Sequence, residues 1–271
     1  MEGMESRDDE EAEAAAMRTM GSYGVAVRVV EEAAEEILLL WAIQQPASRR
    51  QNEFVRHSSL SLRLDACGHH LSILQSPSSM STPGVTGAVM WDSGVVLGKF
   101  LEHAVDSGRL VLQGKRVVEL GSGCGLVGCI AALLGADVIL TDLPDRLRLL
   151  KKNVEDNVDE GNARGSARVS ELTWGDELDA EFIEPSPPEF VLGSDVIYSE
   201  GAVKDLLFTL RQLSGCHTTI FLAGELRNDA VLEFFLEIAM EEFLVGHVDQ
   251  TQWHPDYCSN RVALFVLVKK S

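Results

Sequence analysis

Apolar positions follow two different periods in the first half of the chain. Between residues 52 and 75 apolar and polar residues alternate, so "SLSLRLD" and "HHLSIL" predict two strands of a hairpin that turns near Cys67 and Gly68. The segment "QSPSSMSTPGVTG", rich in Pro and Gly, predicts a loop. In "WDSGVVLGKFLEHAV" helical spacing predicts an amphipathic helix with a buried stripe of Val95, Val96, Phe100 and Leu101.

From residue 115 onward, short apolar runs alternate with amphipathic segments. The runs "KRVVEL", "ADVILT", "ARVSELTW", "EFVLGSDV" and "TTIFLAG" predict strands. Between them, "GLVGCIAALL" predicts a helix that Gly135 ends, and "DLPDRLRLLKKNVEDN" predicts one with Pro144 in its first turn. Further helices are predicted around Leu206 and Phe235.

The last two apolar runs, "FLVGHVDQ" and "RVALFVLV", have no helical pattern between them, so we expect them to pair antiparallel. Alternating strands and helices indicate an α/β fold with a parallel sheet. The complete pattern therefore predicts a doubly wound, mostly parallel seven-strand sheet with an antiparallel C-terminal hairpin and a small N-terminal β-hairpin.

The first 50 residues have a different composition. "VAVRVVEEAAEEILLLWAI" fits either a helix or a strand followed by a helix. We therefore divide the chain into an acidic, partly disordered N-terminal extension, residues 1–50, and a main domain, residues 51–271. Residues 1–16 predict a solvated arm because they carry only Arg7 against the acids Glu2, Glu5, Asp8, Asp9, Glu10, Glu11 and Glu13.

Charge and cysteine content narrow the classes of partner and the compartment. The chain has 42 Asp and Glu against 23 Lys and Arg, a net charge of −19, which repels phosphate backbones and favours a basic protein segment over nucleic acid. Five cysteines without a C-x-x-C pair fit a reducing interior, so we expect the cytoplasm, with the nucleus as a second location. We expect no secretory leader and no membrane span, because the longest uncharged apolar run is interrupted by Asp137 and is rich in glycine.

Acidic residues recur at or just after the ends of predicted strands. In an open parallel sheet, ligands bind beyond the carboxyl ends of the strands. Any one of these acids could cap a helix or face water, but together they favour a binding site at one edge of the sheet. The residues are Glu119, Asp142, Asp195 and Glu225.

The glycine-rich stretch "VVELGSGCGLVG" lies at the same edge. Gly123, Gly125 and Gly128 satisfy G-x-G-x-x-G, a weak signal for a dinucleotide, but Gly121 already occupies the position where the first glycine of that fingerprint ends the strand. Asp142 lies where a carboxylate would grip a ribose diol, so a nucleoside is expected while its phosphates are not assured. For Gly128 the alternative is close packing of a helix on a strand.

These motifs resemble a known family. "ELGSGCG" looks like motif I of the S-adenosylmethionine-dependent methyltransferases, and the order "MWD", "ELGSGCG", "TDLP", "LTWGD", "LGSDVIYSE" is similar to methyltransferase family 16, the seven-strand protein-lysine methyltransferases. The similarity spans residues 54–270, and "PSPPEF" is similar to a branch that acts on an AAA ATPase. The resemblance implies a Rossmann-like methyltransferase fold, S-adenosylmethionine as cofactor, and a lysine-bearing protein substrate such as an AAA ATPase or a chaperone. We expect a monomer.

The resemblance also implies roles for individual residues. Asp195 would orient the acceptor nitrogen and balance the cationic product, and Tyr198 would line the lysine channel. From the residues alone, Trp91 could instead be core packing, Tyr198 an amphipathic side chain at a helix start, and Arg227 the partner of a nearby carboxylate. The implied cofactor contacts are Trp91, Glu119, Gly121, Ser122, Gly123, Asp142, Trp174 and Ser194.

Other functions remain open at this point. A small-molecule N-methyltransferase would keep the cofactor and change the acceptor. A nicotinamide-dependent oxidoreductase is disfavoured by Glu119 and by the lack of a Tyr-x-x-x-Lys or His pair, and a non-catalytic adaptor is disfavoured by the intact row of acids. No metal is expected, because the proline in "HPDYC" argues against a helix that brings His254 and Cys258 together.

Overall fold

The structure is a computed structural model that describes residues 17–43, 53–78, 89–158 and 163–270. The acidic arm and most of the loop predicted around residue 80 lie outside the described residues. The strands are β1 (Met17–Met20), β2 (Tyr23–Val29), β3 (Ser61–Ala66), β4 (His69–Leu74), β5 (Arg116–Leu120), β6 (Asp137–Asp142), β7 (Ser166–Glu171), β8 (Phe190–Ser194), β9 (Thr219–Glu225), β10 (Phe243–His247) and β11 (Val262–Lys269). The helices are α1 (Ala33–Ile43), α2 (Asp92–Asp106), α3 (Leu126–Leu133), α4 (Leu147–Asn157), α5 (Ala180–Ile183), α6 (Glu200–Leu213) and α7 (Asp229–Glu242).

The main sheet has nine strands in the order β1-β2-β10-β11-β9-β8-β5-β6-β7. Strands β9, β8, β5, β6 and β7 are parallel, and β11 inserts antiparallel between β9 and β10. Successive residues of β5 face opposite sides, so Val117 packs in the core beneath α2 and α3, and Val118 in the core beneath α6 and α7. The predicted α/β fold, doubly wound with an antiparallel C-terminal hairpin, is therefore confirmed.

The small hairpin predicted for residues 52–75 is also present. Strands β3 and β4 pair in a separate two-stranded sheet, and the turn residues Cys67 and Gly68 have φ of 55° and 77°. Buried Asn153 of α4 holds this hairpin in place, because its Oδ1 accepts from the Leu74 N–H at 2.9 Å and its Nδ2 donates to the Leu74 carbonyl at 3.0 Å.

Residues 17–43 extend the main sheet. Of the two sequence interpretations of this stretch, a strand followed by a helix is observed, and an additional strand, β1, pairs with β2. Strand β2 pairs antiparallel with β10 through Val29 and Gly246, and α1 packs on α7. The sequence division after residue 50 thus does not coincide with the edge of the sheet.

A buried ion cluster holds this N-terminal unit to the sheet. The Glu36 carboxylate on α1 is buried and lies 2.6 Å from Arg28 Nη1 on β2 and 2.6 Å from His247 Nδ1 on β10. Burial alone would raise the pKa of Glu36, but hydrogen bonds from His247 and Arg28 outweigh it and hold that pKa below its usual value. The cluster therefore joins three elements that are distant in sequence.

Three local details differ from the sequence prediction. The short helix α5 lies between β7 and β8, where the sequence pattern predicted no helix. Helix α4 begins at Leu147, so Pro144 lies in the turn before it instead of in the first helical turn. The connection between β10 and β11 contains two short 3-10 helices, Gln250–Gln252 and Pro255–Tyr257. Within the residues that the structure describes, none of the helices combines the length and apolar character that crossing a membrane requires.

Gly128 provides a test of the packing of α3 on the sheet. A Cβ at this position would lie 2.5 Å from Glu119 Oε2 and would also overlap Leu140, as the close-packing alternative for Gly128 requires. We expect Gly128→Ala to lower the free energy of unfolding by about 1–3 kcal/mol through overpacking. Gly201→Ala, in α6 where a Cβ meets nothing within 4 Å, should raise it by about 0.5–1 kcal/mol. Chemical denaturation of both variants measures the difference, and equal effects would contradict it.

The Glu36 cluster predicts an acid-dependent stability. Removing one partner of a buried pair costs about 3–5 kcal/mol, and because Arg28 is 33% exposed we expect Glu36→Gln to cost about 2 kcal/mol at pH 7. A carboxylate with a lowered pKa stabilises fully above its unfolded pKa of 4.5, so the cost should shrink as the pH falls from that value through the lower pKa of Glu36 in the folded protein. Urea denaturation at several pH values measures the cost. Glu35→Gln, exposed on the same helix, is the control and should change little.

Candidate active site

A cavity of about 550 Å³ opens at the carboxyl edge of the parallel strands. Its size lies within the range of small-molecule sites. The loops after β5, β6, β7, β8 and β9 line it, together with the start of α2. All of the residues proposed for cofactor binding or catalysis lie in its wall: Trp91, Glu119, Gly121, Ser122, Gly123, Asp142, Trp174, Ser194, Asp195 and Tyr198.

The glycine loop forms the floor of the cavity next to β6. Gly121 and Gly123 have φ of 59° and 54°, a region that favours glycine, and a Cβ on Gly121 would lie 3.0 Å from Trp174 Cζ2. Ser122 ties the loop to β6, because its N–H donates to the Thr141 carbonyl at 2.9 Å and its Oγ accepts from the Thr141 N–H at 3.0 Å. The backbone of this loop is thus bare and fixed in position.

Asp142 projects from the end of β6 beside this loop. Its Oδ2 accepts from the Gly123 N–H at 2.7 Å and its Oδ1 from the Leu143 N–H at 2.8 Å. Burial raises the pKa of Asp142, and these two N–H groups oppose that rise. Because each carboxylate oxygen has a second lone pair, the group can still accept bonds from a ligand diol.

Glu119 is the most deeply buried acid of the site. Its Oε2 accepts from the Gly128 N–H at 3.0 Å, at the start of α3. Complete burial raises the pKa of Glu119 to about 8, although that N–H and the Ser122 side chain act in the opposite direction. The cavity wall therefore contains a carboxyl group that a bound cation would favour in its ionised form.

Asp195 lies on the opposite side of the cavity, in a left-handed conformation with φ of 59°. Its N–H donates to the Ala223 carbonyl at 2.8 Å, and its Oδ1 accepts from the Glu225 N–H at 3.2 Å. Its Oδ2 forms an ion pair with Arg227, the partnership that the sequence had left as an alternative for this arginine. The Arg227 guanidinium also lies 4.1 Å from the centre of the Trp91 ring, which fixes its position.

Tyr198 stands at the mouth of the cavity. Its side chain is 51% exposed, and its ring centre lies 6.2 Å from that of Trp174. Burial, together with the charge of Asp142, raises the pKa of Tyr198, so the phenol stays protonated at neutral pH. Trp91 is only half-buried and faces the cavity, so plain core packing does not describe it.

Sequence reasoning missed two anchors of the rim. The Asp92 carboxylate accepts from the N–H groups of Phe54 and Val55 at 3.1 and 3.0 Å, and the Asp92 N–H donates to Glu225 Oε1 at 3.0 Å. Glu225 therefore caps α2. Burial is the main cause that raises the pKa of Glu225, and the charge of Asp195 adds to it.

Asn153 is the other anchor, since its Nδ2 donates to the Cys124 carbonyl of the glycine loop at 2.8 Å. Asp92 belongs to the "MWD" motif, whereas no pattern marked Asn153.

His254 and Cys258, the two residues considered as metal ligands, make hydrogen bonds within their own segment. Cys258 Sγ donates to the His254 carbonyl at 3.4 Å, and His254 Nδ1 accepts from the Asp256 N–H at 3.2 Å. In the described ranges of the chain, His, Cys, Asp and Glu side chains form no group of three or more that could hold a metal ion. All five cysteines lie in the described ranges, and none of them forms a disulfide bond.

These features fit S-adenosylmethionine. The cavity has the volume for a nucleoside with an attached amino acid, a carboxylate lies where a ribose diol needs an acceptor, and an aromatic ring stands beside a bare glycine backbone. The residues that would hold the cofactor are those of the glycine loop with Glu119, Asp142 and Trp174.

Comparisons with known proteins agree with this geometry. A family model described as lysine methyltransferase matches residues 69–241. Protein N-lysine methyltransferase METTL21A of Danio rerio is 42% identical over 151 residues, which cover 56% of this chain and 66% of that protein. EEF1A lysine methyltransferase 3 of Mus musculus is 39% identical over 204 residues, which cover 75% of this chain and 81% of that protein.

One similar solved structure is the T. thermophilus 16S rRNA N2 G1207 methyltransferase RsmC in complex with AdoMet and guanosine. Its TM-score is 0.49 and its sequence identity is 13%, and the match covers 83% of this chain and 53% of that chain. The family model spans more than half of the chain, and the mouse relative is covered over most of its length. The chain therefore belongs to the lysine methyltransferase family and is an S-adenosylmethionine-dependent protein-lysine methyltransferase.

Proposed function

We propose that Asp195 and Tyr198 receive the acceptor lysine while the opposite wall of the same cavity holds the methyl donor. The observation that carries this proposal is the convergence of Asp142 and Asp195 on one cavity from the ends of different strands. When bound, S-adenosylmethionine supplies an electrophilic methyl group on a sulfonium centre. Everything else that the reaction needs is positioning of the nitrogen and control of its proton.

On the donor side, each residue contacts a part of S-adenosylmethionine that suits its chemistry. Asp142 accepts the ribose hydroxyls with the lone pairs that the Gly123 and Leu143 N–H groups leave free. Trp174 covers the adenine, and the fixed backbone of the glycine loop lies against the methionine part. Ser194 and Trp91 complete the wall of the cavity.

On the acceptor side, the enzyme must bind lysine as a neutral amine. The reference pKa of lysine is about 10.4, so the free side chain is almost fully protonated at neutral pH. The Arg227 guanidinium, paired with Asp195, adds a positive charge that disfavours the ammonium form nearby. Asp195 accepts from the nitrogen and balances the cationic product, and Tyr198 lines the entrance.

We further propose a protein partner with a basic lysine-bearing segment, because the chain carries a net charge of −19. The mouse relative is named for its action on EEF1A, so EEF1A joins an AAA ATPase and a chaperone as candidate substrates. The same charge argues against nucleic acid as substrate. Five cysteines without a disulfide bond support a cytoplasmic location, with the nucleus second. We also propose that the enzyme acts as a monomer.

Methyl transfer tests the proposed acceptor. The enzyme is incubated with labelled S-adenosylmethionine and, separately, with purified EEF1A, an AAA ATPase, a chaperone and a total cell extract. We expect the label to enter protein and to be found on lysine after hydrolysis. Label that appears only in the small-molecule fraction would contradict the proposed acceptor.

Replacing Asp195 tests whether this residue acts on the acceptor lysine or on the methyl donor. Asparagine keeps the shape of the side chain and tolerates the left-handed backbone, so Asp195→Asn should fold normally. We expect it to lower kcat/KM at least 100-fold, about 2.7 kcal/mol, while S-adenosylhomocysteine binds within threefold of its original affinity. Calorimetric titration and the labelling assay measure the two effects. Exposed Glu177→Gln is the control, and loss of cofactor binding in Asp195→Asn would assign Asp195 to the donor side instead.

The raised pKa of Glu119 predicts a pH-dependent affinity. A carboxyl group whose pKa rises from 4.5 to about 8 on folding stabilises fully below pH 4.5 and loses that contribution as the pH rises toward 8. A bound cation offsets this loss, so the affinity for S-adenosylmethionine should rise with pH up to about 8, by up to about tenfold per pH unit. Glu119→Gln should abolish the dependence in titrations between pH 6 and 8, and an unchanged slope in that variant would refute the role of Glu119.

A further inference from the structure

Helix α1 exposes several large apolar residues to solvent. The side chains of Leu38, Leu39 and Trp41 are 60%, 46% and 52% exposed. Exposed apolar side chains elsewhere in the described chain, such as Val111, are distributed over separate elements, which is normal for a protein surface. Several large apolar side chains on one short helix are the signature of an interaction site.

This face, called here the α1 face and consisting of Leu38, Leu39 and Trp41, ends beside the active site. Helix α1 packs on α7, and the Trp41 Nε1–H donates to Asp229 Oδ2 at 2.8 Å. Asp229 is the first residue of α7 and follows directly after Arg227 and Asn228, which line the cavity. The α1 face therefore adjoins the rim on which the acceptor lysine would enter.

The two helices that carry and adjoin the α1 face, α1 and α7, each have a net negative charge. Neither α1 nor α7 contains a lysine or an arginine. Exposed or partly exposed acids lie on both helices: Glu35, Asp229, Glu233 and Glu237. One of them, Asp229, contacts Trp41 directly. An apolar centre with an acidic rim complements a segment that carries apolar and basic side chains, and it repels a second copy of this acidic chain.

We propose that the α1 face docks a segment of the protein substrate in which a large apolar side chain is flanked by lysine or arginine, close to the lysine that is methylated. This inference rests on the proposed function. A single lysine side chain offers little to distinguish one protein from another, so recognition needs contacts outside the cavity. Leu38, Leu39 and Trp41 provide the buried centre of such an interface, and the acids provide its polar rim.

Kinetics with matched variants test the docking surface. The acceptor is a total protein extract from cells that lack the enzyme, and the label in each protein band is measured against extract concentration. We expect Leu38→Ser combined with Leu39→Ser to raise the half-saturating concentration at least tenfold, with the maximal rate and the affinity for S-adenosylhomocysteine unchanged. Val111→Ser is the control, because Val111 is 61% exposed, nearly the same as Leu38, and does not line the cavity.

The outcomes separate the two proposals. If the original enzyme labels no protein, the proposed function fails. If it labels protein and the double variant has the same half-saturating concentration, the α1 face is not the docking surface. If sedimentation reveals a dimer that the double variant loses, a second copy covers the face and the proposal is overturned.

A cross-linking experiment checks the position directly. A photoreactive phenylalanine analogue replaces Leu39 in one protein and Val111 in another. We expect a cross-link to the methyl-labelled band from position 39 and none from position 111. A cross-link from both positions, or from neither, would contradict the proposal.

Discussion

Burial of negative charge at one edge of the sheet is the constraint on which this structure depends. A carboxylate removed from water is stable only where hydrogen-bond donors replace the water. Backbone N–H groups do so here: Gly123 and Leu143 donate to Asp142, and Glu225 donates to Asp195. Gly128 donates to Glu119, whose pKa of about 8 leaves that carboxyl group mostly protonated at neutral pH until a cation binds. The turns that supply these donors are the same turns that shape the cavity. The positions of the acids and the backbone conformation of these turns therefore depend on each other.

Hydrogen bonds also connect the acids across the rim. Val55 donates to Asp92, Asp92 donates to Glu225, and Glu225 donates to Asp195, which pairs with Arg227. The series runs from the segment before β3 to the side of the cavity assigned to the acceptor. These hydrogen bonds hold Asp92, Glu225 and Asp195 in position relative to one another along this part of the rim.

The N-terminal unit adds a surface to this arrangement. Strand β2 continues the sheet beyond β10, the buried Glu36 carboxylate joins α1 to β2 and β10, and α1 packs on α7. The C-terminal end of α1 thereby reaches the carboxyl edge, next to Asp229. A segment that composition alone separates from the main domain thus contributes apolar side chains beside the active site, where a protein substrate must approach.

The sequence by itself determined the order of the strands and of the longer helices from residue 115, the hairpin at Cys67, and the family. Alternating and helical patterns of apolar residues involve only neighbouring residues, so the sequence reveals them. An acid that directly follows a parallel strand must lie at the carboxyl edge of the sheet, because that strand ends there. The roles of the site residues remain predictions, although the fold brings those residues together. Only the tertiary structure decided that β1 and β2 join the sheet, that Glu225 caps α2, and that Asn153 anchors the glycine loop. These contacts join residues far apart in the chain, and their energies depend on burial and hydrogen-bond geometry that no local pattern encodes.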